Sequence, residues 1–348
     1  MLILLSSCSE SNKSEILIIP VDVNQDESIP LSVISENIQK IELETTDECL
    51  IGEGLVRVLA SDEYIIYLNN RRGGSYIFLF DINGKFLRQI SKRGQGPGEY
   101  GRLLDVTADF INNRIYMSTD SYKLICYDFE GNFISEVMPF DGQFLNFING
   151  KLTTLTTKIA SDGVGNYQIV NILYEINDKL QIIDSITLSS NNSNEDLSII
   201  FANNNYMTYT DGDMYLYNPP SNADKKTFIN QDTLYQLKDK KIIPHLRLKY
   251  SDEKSNPGKS TMYIYKTSRY IFEQRAGKNA GGWFCYDMKT KKGTNMKKSY
   301  IDDIYTGKNV EFHLLETDVN KFYYTYTNVD DSEKDEPNPT LYIGTLKK

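Results

Sequence analysis

Apolar and polar residues alternate along most of the chain in short runs, and clusters rich in Gly, Asn and Asp separate the runs. Alternation at a period of two marks a half-buried strand, and those three residue types supply turn chemistry. Leu55–Ala60, Tyr64–Leu68, Tyr76–Phe80 and Phe86–Ile90 thus predict four consecutive strands. The segments Phe78-Leu79-Phe80-Asp81-Ile82-Asn83-Gly84 and Ile125-Cys126-Tyr127-Asp128-Phe129-Glu130-Gly131 carry one pattern, a strand ending in an aromatic and then a tight Asp-x-x-Gly turn. Gly84 and Gly131 supply the positive φ that such a hairpin needs.

The pattern repeats. The anchor aromatics Phe80, Tyr127, Tyr174, Tyr235, Tyr286 and Tyr342 follow one another at 47, 47, 61, 51 and 56 residues. Four short strands per unit of this length is the pattern of a β-propeller blade, so the chain is expected to be all-β, a six-bladed propeller with four-stranded blades. The last unit is a strand short, since after Val310–Leu315, Phe322–Thr327 and Thr340–Thr345 the sequence ends. The orphan strand Ile38–Thr45 fits the vacancy, and such closure removes open sheet edges. The expected organisation is a lipoprotein signal over residues 1–8, short at its start, a tether and lead-in over 9–35, and one propeller over 36–348.

Composition agrees with this picture. The chain of 348 residues has 25 Tyr and 15 Phe, while alanine is scarce, so the best helix former is nearly missing and residues suited to pleated surfaces abound. A net charge of −9 without a basic run argues against nucleic acid. No stretch approaches the roughly 18 apolar residues of a membrane span.

Leu5-Ser6-Ser7-Cys8 resembles a bacterial lipobox, with Cys8 as the lipidation site and Ser9–Glu15 as its polar tether. Gly94-Gln95-Gly96-Pro97-Gly98-Glu99-Tyr100 is similar to the GxGPGEF segment of NHL-type repeats. Over residues 36–348 the chain resembles the six-bladed, NHL-like propeller lipoproteins of Bacteroidetes, although the GxGPGE segment occurs once and the unit near Asn218–Asn230 carries an insertion. The resemblance implies an outer-membrane lipoprotein, periplasmic or surface-exposed, that touches the membrane only through its lipid.

Candidate chemistry is sparse. The Gly94–Gly98 loop lacks the Lys and helix of a phosphate loop and reads as a blade connection with Glu99 capping its amides. His245 and His313, the two histidines, fall in different units and different strand ranks. Asp211-Gly212-Asp213 and Asp330–Glu336 lack EF-hand spacing. Cys49, Cys126 and Cys285 read as small buried hydrophobes. No cofactor and no metal site is expected. In the loops expected to share one face, Arg71, Arg72, Arg93, Arg102 and Arg275 offer forks for carboxylates, and Tyr122 and Trp283 offer aromatic platforms. The leading expectation is a non-enzymatic binding or scaffold protein for a protein, peptide or carbohydrate. The alternative is a metal-dependent hydrolase or lyase of the six-bladed lactonase or NHL-lyase type.

Overall fold

The computed structural model describes residues 16–52, 54–71, 74–90, 92–193, 206–217, 232–251, 261–276, 281–327 and 337–348. The chain opens with β1 (Leu17–Val21), a single helical turn α1 (Leu31–Ile34) and β2 (Ser35–Glu42). Blade one is β3 (Leu55–Ala60), β4 (Tyr64–Arg71), β5 (Gly74–Asp81) and β6 (Phe86–Gln89). A two-residue ladder of β7 (Lys92–Arg93) with β8 (Glu99–Tyr100) leads to blade two, which is β9 (Leu103–Asp109), β10 (Arg114–Thr119), β11 (Leu124–Asp128) and β12 (Phe133–Val137). Blade three is β13 (Phe144–Ile148), β14 (Lys151–Ser161), β15 (Tyr167–Ile176) and β16 (Ile182–Ser193). Blade four is β17 (Met207–Thr210), β18 (Asp213–Leu216), β19 (Thr233–Lys238) and β20 (Lys241–Tyr250). Blade five is β21 (Thr261–Lys266), β22 (Tyr270–Arg275), β23 (Gly282–Asp287) and β24 (Lys292–Met296). A second short ladder, β25 (Tyr300–Ile301) with β26 (Asn309–Val310), precedes β27 (His313–Leu314), β28 (Lys321–Tyr326) and β29 (Thr340–Leu346) of blade six.

The blades form a closed ring. β2 pairs antiparallel with β29 as the outer strand of blade six, so the orphan strand closes the ring as its sequence suggested. Six apolar clusters hold the ring together, one at each interface between blades. Leu79 meets Val106 and Ile125 between blades one and two, Cys126 meets Leu145 and Leu152 between two and three, and Leu173 meets Leu216 between three and four. Leu246 meets Ile271 and Phe284, Phe272 meets Phe322, and Tyr323 meets Ile65 and Phe80 at the remaining three. Inner strands are covered on both faces, which is why Tyr64-Ile65-Ile66-Tyr67-Leu68 reads as one apolar run while the outer β6 alternates half-buried with exposed. Each fully buried large apolar side chain contributes about 1.5–3 kcal/mol.

The hairpins end as their sequence predicts. The Asp81 carboxylate accepts from the amides of Asn83 and Lys85, while Gly84, at φ +88°, donates to the Asp81 carbonyl. Asp128 with Gly131 repeats the arrangement in blade two.

The lead-in is structured from Leu17 onward. β1 lies parallel along β20 as a fifth strand on blade four. The chain then crosses blade five, where the Gln25 carbonyl accepts from Asn295 Nδ2 at 2.7 Å, and reaches blade six, where Ser32 donates to Asp303 and Lys347 N donates to the Ile34 carbonyl. Residues 17–42 therefore strap three consecutive blades before closing the last one.

Candidate functional site

In every blade the innermost strand starts on one face of the ring. That upper face carries the connections between blades and the turns between second and third strands. Three of the arginine- and tyrosine-bearing loops meet there. Tyr100 donates to the Ser75 carbonyl, and a side chain on Gly74 would collide with the Arg93 guanidinium, so the 92–102 connection lies against the β4–β5 turn. Asp120 N donates to the Arg102 carbonyl at 3.1 Å, which joins the connection to the β10–β11 turn. Arg93 and Arg102 are exposed, and Tyr122 beside them is 64% exposed. Tyr122 holds φ +59°, a left-handed conformation costly for an aromatic residue, pinned by a 2.7 Å bond from Phe140 N to the Tyr122 carbonyl.

The other expected site residues do not join this group. Arg71 ends β4 opposite Gly74, but its side chain, like all of Arg72, lies outside the described residues, as do Cys8 and the Asp330–Glu336 cluster. Arg275 and Trp283 belong to blade five, opposite blade two in the ring. Arg275 is buried; it donates to Asn295 Oδ1, stacks over Tyr250 and stands 3.4 Å from Glu273, so its charge is spent inside the blade. Trp283 is half-buried in a narrow aromatic crevice between blades five and six with Tyr263, Tyr265, Tyr300 and Phe312.

The GxGPGE segment ties blade one to blade two. Gly96 N donates to Glu99 at 2.9 Å, as expected of the cap, and Gly98 N donates to Glu136 at 2.8 Å. Tyr127 donates to the Gly98 carbonyl, and the buried Lys123 ammonium donates to the carbonyls of Gly96 and Glu99. Gly94 has a steric reason to be glycine, because a Cβ there would strike the Glu99 carboxylate.

The axis holds a constellation that sequence reading missed. Arg57 on the innermost strand of blade one binds Asp105 of blade two and Glu316 of blade six, and donates to the Leu145 carbonyl of blade three at 3.2 Å. Glu316 also reaches across the ring, accepting from Phe147 N at 2.7 Å and from the Thr107 hydroxyl. Asp105 accepts from Leu145 N at 2.8 Å. These contacts join four blades through the centre, and all three charged side chains are at most 6% exposed. Burial raises the pKa of Asp105 and of Glu316 even with Arg57 beside them. Burial opposes the Arg57 charge, yet the two carboxylates keep it firmly protonated. Next to this plug the fully buried Asn146 carboxamide lies against the Tyr206 hydroxyl.

Of the two histidines, His245 sits on the outer strand β20 against Tyr215, and Lys266 adds to burial in lowering its pKa. His313 sits on the innermost strand β27, its ring tilted against Tyr323 at 5.4 Å, and the Tyr323 hydroxyl accepts from Val58 N. His313 keeps exposed surface, yet the protein packed around it desolvates the ring and lowers its pKa. The three described cysteines are buried, and burial pushes Cys126 up to about 11 and Cys49 up to about 12, so neither is a thiolate at neutral pH. Among the described residues no group of three or more His, Cys, Asp or Glu is placed to hold a metal ion.

A family described as a domain of unknown function, DUF4934, matches residues 16–347. The chain belongs to that family. Its fold is similar to the crystal structure of an exported protein from Bacteroides fragilis, with a TM-score of 0.61 at 17% identity over 95% of this chain and 100% of that one. A DUF4221 family member from Bacteroides vulgatus aligns over 93% of this chain and 99% of that one at 10% identity and a TM-score of 0.48. No curated protein matches the sequence. Among the described residues of this DUF4934 chain no helix is long and apolar enough to cross a membrane.

Proposed function

We propose that this DUF4934 propeller is an exported, envelope-bound protein that binds a polypeptide partner on its upper face and performs no catalysis. The observation that carries the reading is the height of blade three. Its three outer strands run 11, 10 and 12 residues, where their counterparts in blades one and two run four to eight. Thr156 still bonds to Asp141 in the incoming connection, and residues 157–167 rise beyond it with Ile159 and Val164 exposed at 47% and 84%. A raised wall with apolar residues at its tip, beside the exposed Arg93, Arg102 and Tyr122, offers a concave seat for a protein surface. The hydrolase or lyase alternative has His313 facing the axis in its favour. Against it, Arg57 already occupies the space between the two axial carboxylates, where a cation would have to go.

Envelope attachment would come through Cys8, in keeping with the lipobox-like Leu5-Ser6-Ser7 before it and with the exported protein that shares the fold. Labelled palmitate incorporated by the wild type and lost in Cys8→Ser is the expected result; equal labelling would retire the anchor.

The binding reading is tested by affinity purification from the native envelope, comparing the wild type with a variant whose residues 158–167 are replaced by an Asn-Gly turn. A polypeptide retained by the first and lost from the second is expected. Identical catches, or retention of carbohydrate alone, would overturn it.

A further inference from the structure

The outer strand of each blade leaves one row of backbone donors and acceptors unpaired, and proteins normally shorten, charge or cover such an edge. Blades one, two and five have outer strands of four, five and five residues carrying Arg88, Glu136 and Lys292 respectively. Blade six is closed by β2, which carries Glu36, Lys40 and Glu42. Blades three and four are the exceptions in length, with outer strands of 12 and 10 residues.

Those two strands match in detail. β20 is bulged at His245 and continues above it through Leu246–Tyr250. β16 is bulged at Leu188 and continues above it as Ser189–Ser193, paired with Tyr167–Asn171 of β15. In blade four the upper stretch is covered residue for residue by the five-residue β1, running parallel. In blade three, among the described residues, nothing pairs with the outer edge of the corresponding stretch. It reads Ser-Ser-Asn-Asn-Ser, with no charge and no proline to discourage pairing. Two of its described side chains, Ser189 and Ser190, are engaged by β15. Asn171 Nδ2 donates to the Ser189 hydroxyl at 3.0 Å, Asn171 Oδ1 accepts from the Thr157 hydroxyl at 2.8 Å, and Gln168 Nε2 donates to Ser190 at 3.2 Å. Thr157, Asn171 and Ser189 form a polar ladder across three strands, with Ser189 on the outermost of them.

We propose that Ser189–Ser193 is a strand-addition site, taking an extended, uncharged segment of another polypeptide as β20 takes β1. Five residues of backbone pairing supply the affinity, and a Ser, Thr or Asn opposite Ser189 extends the ladder and fixes the register. A sugar or lipid headgroup cannot match a row of amides and carbonyls at strand spacing, so the occupant is a peptide backbone. The proposal rests on the reading that the partner is a polypeptide, and it names where on blade three that partner is held.

Amide hydrogen exchange of the full chain tests it, with an acetylated eight-residue peptide of alternating Thr and Val at millimolar concentration as the probe. The outward-facing amides of Ser189–Ser193 should slow by about tenfold with peptide, while the edges of β12 and β24 stay unchanged. The double variant Ser190→Lys, Asn192→Lys should abolish the slowing at an unaltered melting temperature. Three outcomes overturn the site: amides already as slow as those of β15 without peptide, no slowing at millimolar peptide, or protection that rises with protein concentration, which would make the occupant a second copy. Should the peptide act and no envelope partner be found, the functional reading fails and the site stands. Should the envelope partner bind the double variant equally well, the site fails and the functional reading stands.

Discussion

Arg57 and Arg102 are the same residue type on neighbouring blades, and the ring gives them opposite fates. Arg57 is taken out of water at the axis and grips two carboxylates from two other blades. Arg102, on the connection into blade two, is exposed, and Asp120 engages its backbone. Charge at the axis ties four of the six blades together, whereas charge on the upper face stands open to solvent. The difference follows from closure. Inner strands converge on the axis, where Arg57, Asp105 and Glu316 are buried and each unpaired strand edge needs partners, whereas the turns above diverge into solvent.

The largest expected effect breaks the axis. Arg57→Ala strands Asp105 and Glu316 as buried carboxylates with no cation, a loss of about 3–5 kcal/mol in unfolding free energy, measured by urea denaturation. Adding Asp105→Asn and Glu316→Gln removes the stranded charges and should recover part of that loss. A loss below about 1 kcal/mol for the single change would place the plug among surface ion pairs.

A smaller effect separates two kinds of buried carboxylate by pH. Asp105 and Glu316 have folded pKa values raised above their unfolded ones, so the folded state holds more protons just above the ordinary carboxylate range. Their contribution is therefore lost as pH rises through the raised values, and stability should grow on acidification from neutral toward about pH 5. Asp287 behaves the other way. The Arg269 guanidinium and the amides of Lys289 and Thr290 hold it down to about 2, so its contribution is present above the unfolded value and lost as pH falls through about 2. Glu316→Gln should flatten the first limb and Asp287→Asn the second, each read from denaturation midpoints across pH. Unchanged limbs would show that other groups carry the dependence.

These contrasts also mark what a sequence can and cannot reveal. The fold was legible because each blade repeats a local rule: an aromatic such as Phe80 or Tyr127, an Asp, a positive-φ Gly, and then the next strand. The closing strand was legible because one blade came up short. β1 was not, since Leu17-Ile18-Ile19-Pro20-Val21 has no repeat partner and a parallel added strand obeys no turn rule. Arg57, Asp105 and Glu316 were invisible for a related reason. They lie 48 and 211 residues apart in sequence and meet only because the ring closes. Arg275 shows the converse hazard: it precedes a glycine-rich stretch, as an exposed arginine would, yet it is the last residue of β22 and stands beside Glu273, two residues back, inside the blade. Arg93, Arg102 and Tyr122 lie on adjoining loops because short connections cannot travel far from the strands they join.

The smallest effect on stability sharpens the other side of the comparison. Tyr122 sits at φ +59° with its ring in solvent, so Tyr122→Gly relieves a left-handed strain of about 1–2 kcal/mol. The same change loosens the unfolded chain and costs about 0.5–1 kcal/mol, which leaves a net shift of about 1 kcal/mol or less, toward greater stability. A costly conformation with its ring in solvent is the reason for proposing that Tyr122 contacts the partner. Tyr122→Gly together with Arg102→Ala should therefore melt at or slightly above the wild-type temperature while losing about tenfold in affinity for the envelope partner, the size of a modest interface hot spot. Full affinity in that variant would move the seat away from blade two and leave blade three to carry the binding alone. A sharp fall in melting temperature would instead show that the Tyr122 backbone turn, with its bond from Phe140, supports the blade, and the division between a structural axis and an open face would have to be redrawn there.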